Sequence, residues 1–293
     1  MNQAISYHES TQRSFGVYSR EEQERIRHGR VAIVGVGCDG GMDAYILARM
    51  GIGHLTLIDF DVNEASNLNR QPAAFKDAMG EKKVYTARRE FSRFNPETEI
   101  DAIDAKLTEE NAKTLLQGHD IVIQGMDSMV GRIVFHRAAK ELGIPAVTMT
   151  GQPPYRSFVS TIMPDGPTYE ELFGIDFVVG KTLTGNQGLE EEINELKYER
   201  AAHAANAGGS EGWLEQYHRG KIGWGITPER AYITSVNQVR ETVDLLIGKP
   251  SKAPAPRARI YDESGLKEFG LSENIQMAIL DPPNEKNWDF RWF

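Results

Sequence analysis

The stretch Arg30-Val-Ala-Ile-Val-Gly35-Val-Gly37-Cys38-Asp39-Gly40-Gly41 sets the fold of this chain. An apolar run enters a Gly-x-Gly-x-x-Gly turn, and a helical pattern continues from Met42 to Met50. A second apolar strand is read at His54-Leu-Thr-Leu-Ile-Asp59-Phe-Asp61. Gly35, Gly37 and Gly40 let the backbone turn tightly, approach a phosphate and pack helix on strand. Asp59 lies 19 residues beyond Gly40, where such folds carry the carboxylate that accepts ribose hydroxyls. Helix–strand packing alone would also use these glycines, so the turn by itself argues only for a nucleotide.

Outward from that turn, short apolar strands alternate with amphipathic helices. The pattern predicts strands at 31–35, 55–59, 99–103, 121–124 and 145–149, joined by helices at 40–50, 82–94, 108–117 and 131–142. Such alternation implies right-handed βαβ crossovers, hence an α/β, Rossmann-like fold with a mainly parallel sheet and helices on both faces. A further strand is expected at Phe158–Met163. The organisation expected is an N-terminal arm (1–29), a nucleotide-binding domain (30–165), an insertion or lid (166–225), a return to the main domain (226–250), and a linker with a C-terminal tail (251–293). Within the arm, Ser19 with Glu22 three residues on fits a capping box for a helix to His28.

The segment after the second strand is more specific than the turn. Asp59-Phe-Asp61 leads into Ser66-Asn67-Leu-Asn69-Arg70-Gln71, and then Gly80-Glu-Lys82-Lys83. A guanidinium and an ammonium just past a nucleotide-binding strand suit a triphosphate, whose charge must be neutralised before a carboxylate can attack its α-phosphorus. An NAD-dependent oxidoreductase, the alternative from another enzyme class, has no use for that cluster. Asp127 comes just after the strand at 121–124, at the carboxyl end where ligands bind in open α/β sheets. It would equally well cap the helix that begins near Met129.

These residues resemble the ThiF/MoeB/HesA family, the adenylating relatives of ubiquitin-activating enzymes. The family's Asp-x-Asp, Ser-Asn-Leu-x-Arg-Gln, Gly-x-x-Lys and later Asp match Asp59/Asp61, Ser66 to Gln71, Gly80/Lys83 and Asp127. The resemblance covers about residues 10–165, with an echo at 226–248, and says little about the substrate. It implies ATP-dependent adenylation of a carboxylate, most naturally the C-terminus of a small carrier protein or peptide, by a homodimer. It assigns Asp59, Asp61, Asn67, Arg70, Gln71 and Lys83, with Gly35, Gly37, Cys38 and Gly40, to the nucleotide, and Asp127 to Mg2+. Arg132 would be a second anion contact. Arg13, with Arg20 as the alternative, would reach the site of the second subunit. Lys82 beside Lys83 leaves that assignment open by one residue, although the family spacing favours Lys83.

Cys38 and Asp39 depart from the family, which has small or apolar residues there. They leave room for a third reading, a non-catalytic nucleotide-binding protein. Relatives that form a thioester or persulfide carry the cysteine further along, in the part corresponding to 165–225, and this chain has none there. Cys38 is the single cysteine, so no covalent sulfur intermediate, disulfide framework or zinc site is expected. The formal charge of −9 disfavours a nucleic-acid face. No apolar run approaches the roughly 20 residues that span a bilayer. The start lacks the order of a signal peptide, so a cytoplasmic protein is expected.

Overall fold

The computed structural model of the chain describes residues 5–152, 156–206, 210–262 and 265–269. The arm holds α1 (Tyr7–Thr11) and α2 (Arg20–His28), the latter opened by the Ser19–Glu22 capping box. Then come β1 (Arg30–Val34), α3 (Cys38–Met50), β2 (His54–Ile58), α4 (Lys83–Phe91), β3 (Glu99–Ile103), α5 (Ala112–Leu116), β4 (Ile121–Gln124), α6 (Met129–Leu142) and β5 (Ala146–Gln152). The second half contains β6 (Arg156–Ile162), α7 (Tyr169–Phe173), α8 (Gln187–Asn206), α9 (Trp213–His218), α10 (Pro228–Leu246), β7 (Ala258–Asp262) and β8 (Gly265–Phe269).

The sheet order is β3-β2-β1-β4-β5-β6-β7-β8. The first five strands are parallel, and β6, β7 and β8 add on antiparallel. The chain steps outward one way from β1 to β3 and the other way from β4 to β5. A crevice therefore opens beyond the carboxyl ends of β1 and β4, at the topological switch point. Side chains alternate across β1. Val31 and Ile33 join the cluster under α3, α4 and α10, whereas Ala32 and Val34 join the one under α6, α7 and α8.

The expected fold class and its five parallel strands are borne out, with shifted helix boundaries. Helix α3 begins at Cys38, α4 stops at Phe91, and α5 is only Ala112–Leu116. The predicted strand at 158–163 forms as β6. The C-terminal part differs more from expectation. Residues 251–257 are no free linker, because the fully buried Glu241 of α10 binds Ser251 Oγ at 2.5 Å and the backbone N–H groups of Lys252 and Ala253. The Arg259 guanidinium meets its other oxygen at 2.7 Å. This clamp brings β7 and β8 onto the sheet edge, a long-range pairing that no local periodicity announces. The remainder of the expected tail, 270–293, lies outside the described residues.

One buried group sets a pH dependence. His136 on α6 is 2% exposed and stacks on Tyr169, with ring centroids 4.6 Å apart. Neither ring nitrogen has a hydrogen-bond partner among the described residues. Burial, helped by the Arg132 charge, pushes its pKa down to about 3. The unfolded chain protonates this imidazole near pH 6.5 while the folded chain does not, so stability is complete above that pH and is lost as pH falls towards 3. His136→Phe keeps the ring and removes the titration. In urea titrations at a series of pH values, wild type should lose stability relative to the variant below about pH 6, with a slope approaching about 1.4 kcal/mol per pH unit. Parallel pH profiles for the two proteins would refute a neutral buried imidazole.

Candidate functional site

The glycine turn forms the floor of the crevice. Gly35 has φ +90°, and a side chain there would come within 2.6 Å of the Gly125 carbonyl at the end of β4. A methyl at Gly40 would overlap the Gly35 carbonyl oxygen. Only bare backbone lets β1, the start of α3 and the end of β4 touch. Gly37 is the N-cap of α3 and makes no side-chain cap. The first N–H groups of the helix are therefore left open to an anion, with the helix dipole favouring negative charge.

Asp59, at the end of β2, is buried and accepts the Val36 N–H at 2.6 Å and the Asp61 N–H at 2.8 Å. Burial lifts its carboxyl above the usual range, against those two hydrogen bonds and the Lys83 charge. Asp59 thus braces the turn through one lone pair on each oxygen, leaving a second on each for a ligand. Lys83, 8% exposed at the start of α4, reaches Asp61 Oδ2 at 3.0 Å. Lys82 is engaged elsewhere, on Asp104 at 3.0 Å and the Phe60 carbonyl at 2.6 Å. Of the two adjacent lysines, Lys83 is the more buried.

In the Ser66–Gln71 segment, Asn67 is buried and accepts the Glu64 N–H at 3.0 Å, which ties the loop down. Arg70 uses Nη1 on the Ser66 carbonyl (2.7 Å) and Asn69 Oδ1 (2.9 Å), but its buried Nε has no partner. Gln71 is buried with Oε1 likewise unpartnered, and its amide lies beside Gly37. Asp127 is exposed at the mouth of the β4 loop. It is not the helix cap, because Ser128 is the N-cap of α6 and accepts the Gly131 N–H at 3.2 Å. Arg132 is buried and donates from Nε to the Met126 carbonyl at 2.8 Å. Arg13 stands apart, exposed in a 3-10 turn of the arm at Gln12–Ser14. Among the described residues no three His, Cys, Asp or Glu side chains gather as a metal-binding group. A cation on Asp127 would therefore draw its other ligands from phosphate and water.

Asp39 is buried beside Cys38 and faces the fields of Arg230, Arg132 and Arg70. Burial raises its pKa, and those guanidiniums oppose the rise. Asp43, one helical turn on, is fully buried, and burial with the neighbouring Asp39 holds its carboxyl well above the usual range. At the other rim, Trp213, Tyr217 and Trp224 form an aromatic cluster. Trp224 Nε1 donates to the Gly151 carbonyl at 2.9 Å, and Tyr217 feels the Asp127 carboxylate. Burial first, then Tyr198 and Asp127, push the Tyr217 hydroxyl up to about 12. The 213–224 segment therefore lies over the carboxyl ends of β4 and β5.

Sequence reading missed Gly125, Gly151 and Arg230. The last left a trace, because a cation in the first turn of a helix opposes the dipole and calls for another reason to be there.

Residues 9–279 match the profile of the ThiF family. The "SAMP-activating enzyme E1" of Haloferax volcanii is 32% identical over 158 residues, which cover 52% of this chain and 56% of that protein. The "Molybdopterin-synthase adenylyltransferase" of Haemophilus influenzae is 34% identical over 155 residues, covering 51% and 62%. Both matches thus span less than two thirds of the relative's own length. The crystal structure of PaaA superposes with a TM-score of 0.61 at 20% identity, covering 89% of this chain and 68% of that one, a likeness of fold.

Cys38 opens α3 but is mostly buried, and burial together with Asp39 holds its thiol well above the usual range. Reactivity tracks the thiolate. Iodoacetamide at about pH 8 should label the native protein at least about tenfold more slowly than the urea-unfolded chain. Equal rates by mass spectrometry would overturn this account of the thiol.

Proposed function

The chain belongs to the ThiF family, and on that footing we propose that it uses ATP to adenylate a carboxylate, releasing pyrophosphate. The observation that carries the reading is the meeting of four features at one crevice: an open helix N-terminus, Arg70 with an unpartnered Nε, the inward Lys83, and Asp127 free of capping duty. A carboxylate oxygen forms the new bond to the α-phosphorus while the bond from phosphorus to the bridging oxygen breaks. The electron pair departs on pyrophosphate, and no proton has to move.

In this reading Asp59 accepts ribose hydroxyls, and the backbone from Gly35 to Gly40 borders the phosphates. Arg70 and Lys83 neutralise charge, with Asn67, Gln71 and Asp61 holding them in position. Asp127 would hold Mg2+, which supplies Lewis-acid neutralisation of phosphate oxygens. The exposed, uncapped carboxylate suits that role. Catalysis then rests on positioning and on cationic stabilisation, with no covalent enzyme intermediate. The acceptor is the C-terminus of a small carrier protein or peptide, consistent with the names of the relatives, and the protein works in the cytoplasm as a homodimer. A dehydrogenase would leave Arg70 and Lys83 without a purpose.

Arg70→Ala and Asp127→Ala should each slow ATP–pyrophosphate exchange about 100- to 1,000-fold while circular dichroism stays native, since one lost transition-state charge contact costs about 2.7–4 kcal/mol. Wild-type rates in both variants at saturating substrate would remove these residues from the site.

Arg13 acts in trans in this reading. Its exposed apolar neighbours Phe15 and Val17 support an arm that engages a second copy. Inactive Arg13→Ala mixed in equal amount with inactive Asp127→Ala under subunit exchange should recover activity towards about a quarter of wild type, since about half of the dimers are mixed and each mixed dimer holds one intact site. Proven exchange without recovery would rule the trans arginine out.

A further inference from the structure

A charged side chain that the adenylation reading does not use lies at the heart of the crevice. Arg230 is the third residue of α10 and is only 3% exposed. Its guanidinium is pressed so closely on β5 that a methyl on Gly151 would overlap Nη1. Among the described residues its one hydrogen bond is a long one, 3.4 Å from Nη1 to the Arg156 carbonyl. Nε has no partner, and among the described residues no carboxylate lies within ion-pair distance. A buried, unpaired cation is strongly destabilising. The helix dipole at the start of α10 adds to that cost rather than relieving it.

The place of this guanidinium says what would complete it. It acts electrostatically on Cys38 and Asp39 at the glycine turn and on Arg70, so it borders the phosphate end of the crevice. It does so from the opposite side. Arg70 and Lys83 come from the β1–β2 side, whereas Arg230 sits by Gly151 at the end of β5, where the Trp224 indole binds the Gly151 carbonyl at 2.9 Å. In an in-line displacement at phosphorus, the attacking oxygen enters opposite the departing pyrophosphate. A planar guanidinium fork on that entry side matches the two oxygens of a carboxylate. Asp39 offsets part of the charge of the three surrounding arginines without pairing to any of them.

We propose that Arg230 is the anchor for the acceptor carboxylate, holding it at the entry side of the α-phosphate and retaining the carbonyl oxygen of the acyl-adenylate product. This rests on the adenylation reading above, and it assigns the second substrate's binding group, which that reading leaves open. Gly151 is the residue that makes room for it.

Two probes separate the possibilities: α,β-methylene ATP for the nucleotide, and 5′-O-(N-glycylsulfamoyl)adenosine as a stable acyl-adenylate mimic. Isothermal titration with Arg230→Gln should show the ATP analogue bound within about threefold of wild type. The acyl-adenylate mimic should weaken by about 10- to 150-fold, the loss of one hydrogen bond to a charged group. Gly151→Ala, which displaces the guanidinium without removing it, should show the same split. The melting temperature of Arg230→Gln should stay level or rise, because an unpaired buried charge has been removed. A fall in melting temperature with both affinities unchanged would make Arg230 structural and sink the proposal. Equal losses for both probes would reassign it to phosphate. Wild type that binds neither probe would end the adenylation reading itself, and this inference with it.

Discussion

The contact among three glycines, Gly35, Gly40 and Gly125, holds the molecule's architecture and its crevice together. Gly35 and Gly40 belong to one turn, but Gly125 lies some 85 residues further on, at the end of β4. A side chain at Gly125 would meet the Gly35 carbonyl at 2.5 Å and the Gly40 Cα at 2.9 Å. Backbone packed against backbone in this way locks the end of β1, the start of α3 and the end of β4 into one rigid junction. That junction is the switch point of the sheet, so the glycine turn and the loop that carries Asp127 are fixed relative to each other by sterics. The Asp59 carboxylate completes it by holding the Val36 and Asp61 N–H groups.

Around this junction the charges are unevenly matched. Lys83 is paired with Asp61, and Arg132 rests on a backbone carbonyl, whereas Arg70 and Arg230 each keep a buried nitrogen without a partner. Structures bury polar groups unpaired only rarely, and each such nitrogen calls for an explanation. Asp39 and Asp43 are the counterweight. Placed one helical turn apart on the buried face of α3, they would repel if both were ionised, and burial keeps both carboxyls above the usual range. The departure from the family's glycine turn thus goes with two buried carboxyls on α3. The Ser235 hydroxyl of α10 donates to the Asp39 carbonyl at 3.0 Å and ties the two helices at that point.

The segment 213–224 closes the opposite rim with aromatic side chains. Stacking of Trp213 on Tyr217, with ring centroids 5.5 Å apart, makes a small cluster of its own outside the two main core layers. One polar tip, the Trp224 N–H, binds the Gly151 carbonyl at the end of β5. Packing and site formation are therefore the same interaction here. The aromatic bodies hold the segment in place, and the Trp224 N–H ties it to the end of β5.

The order of amino acids was enough to read the β1–turn–α3 unit, the alternation that gives five parallel strands, and the identity of Asp59, Arg70, Lys83 and Asp127 as candidates. All of these are encoded within a few tens of residues, by period, spacing and motif. Only the folded chain settles which of two adjacent lysines is the more buried, that Ser128 and not Asp127 caps α6, and that β7 and β8 extend the sheet through the Glu241 clamp. Folding also brings Arg230 and Trp224 to Gly151, each more than 70 residues away in the chain. One cause is common to these cases. Local pattern reports which face of an element is apolar, but whether a buried polar group finds a partner depends on what the distant chain brings to it.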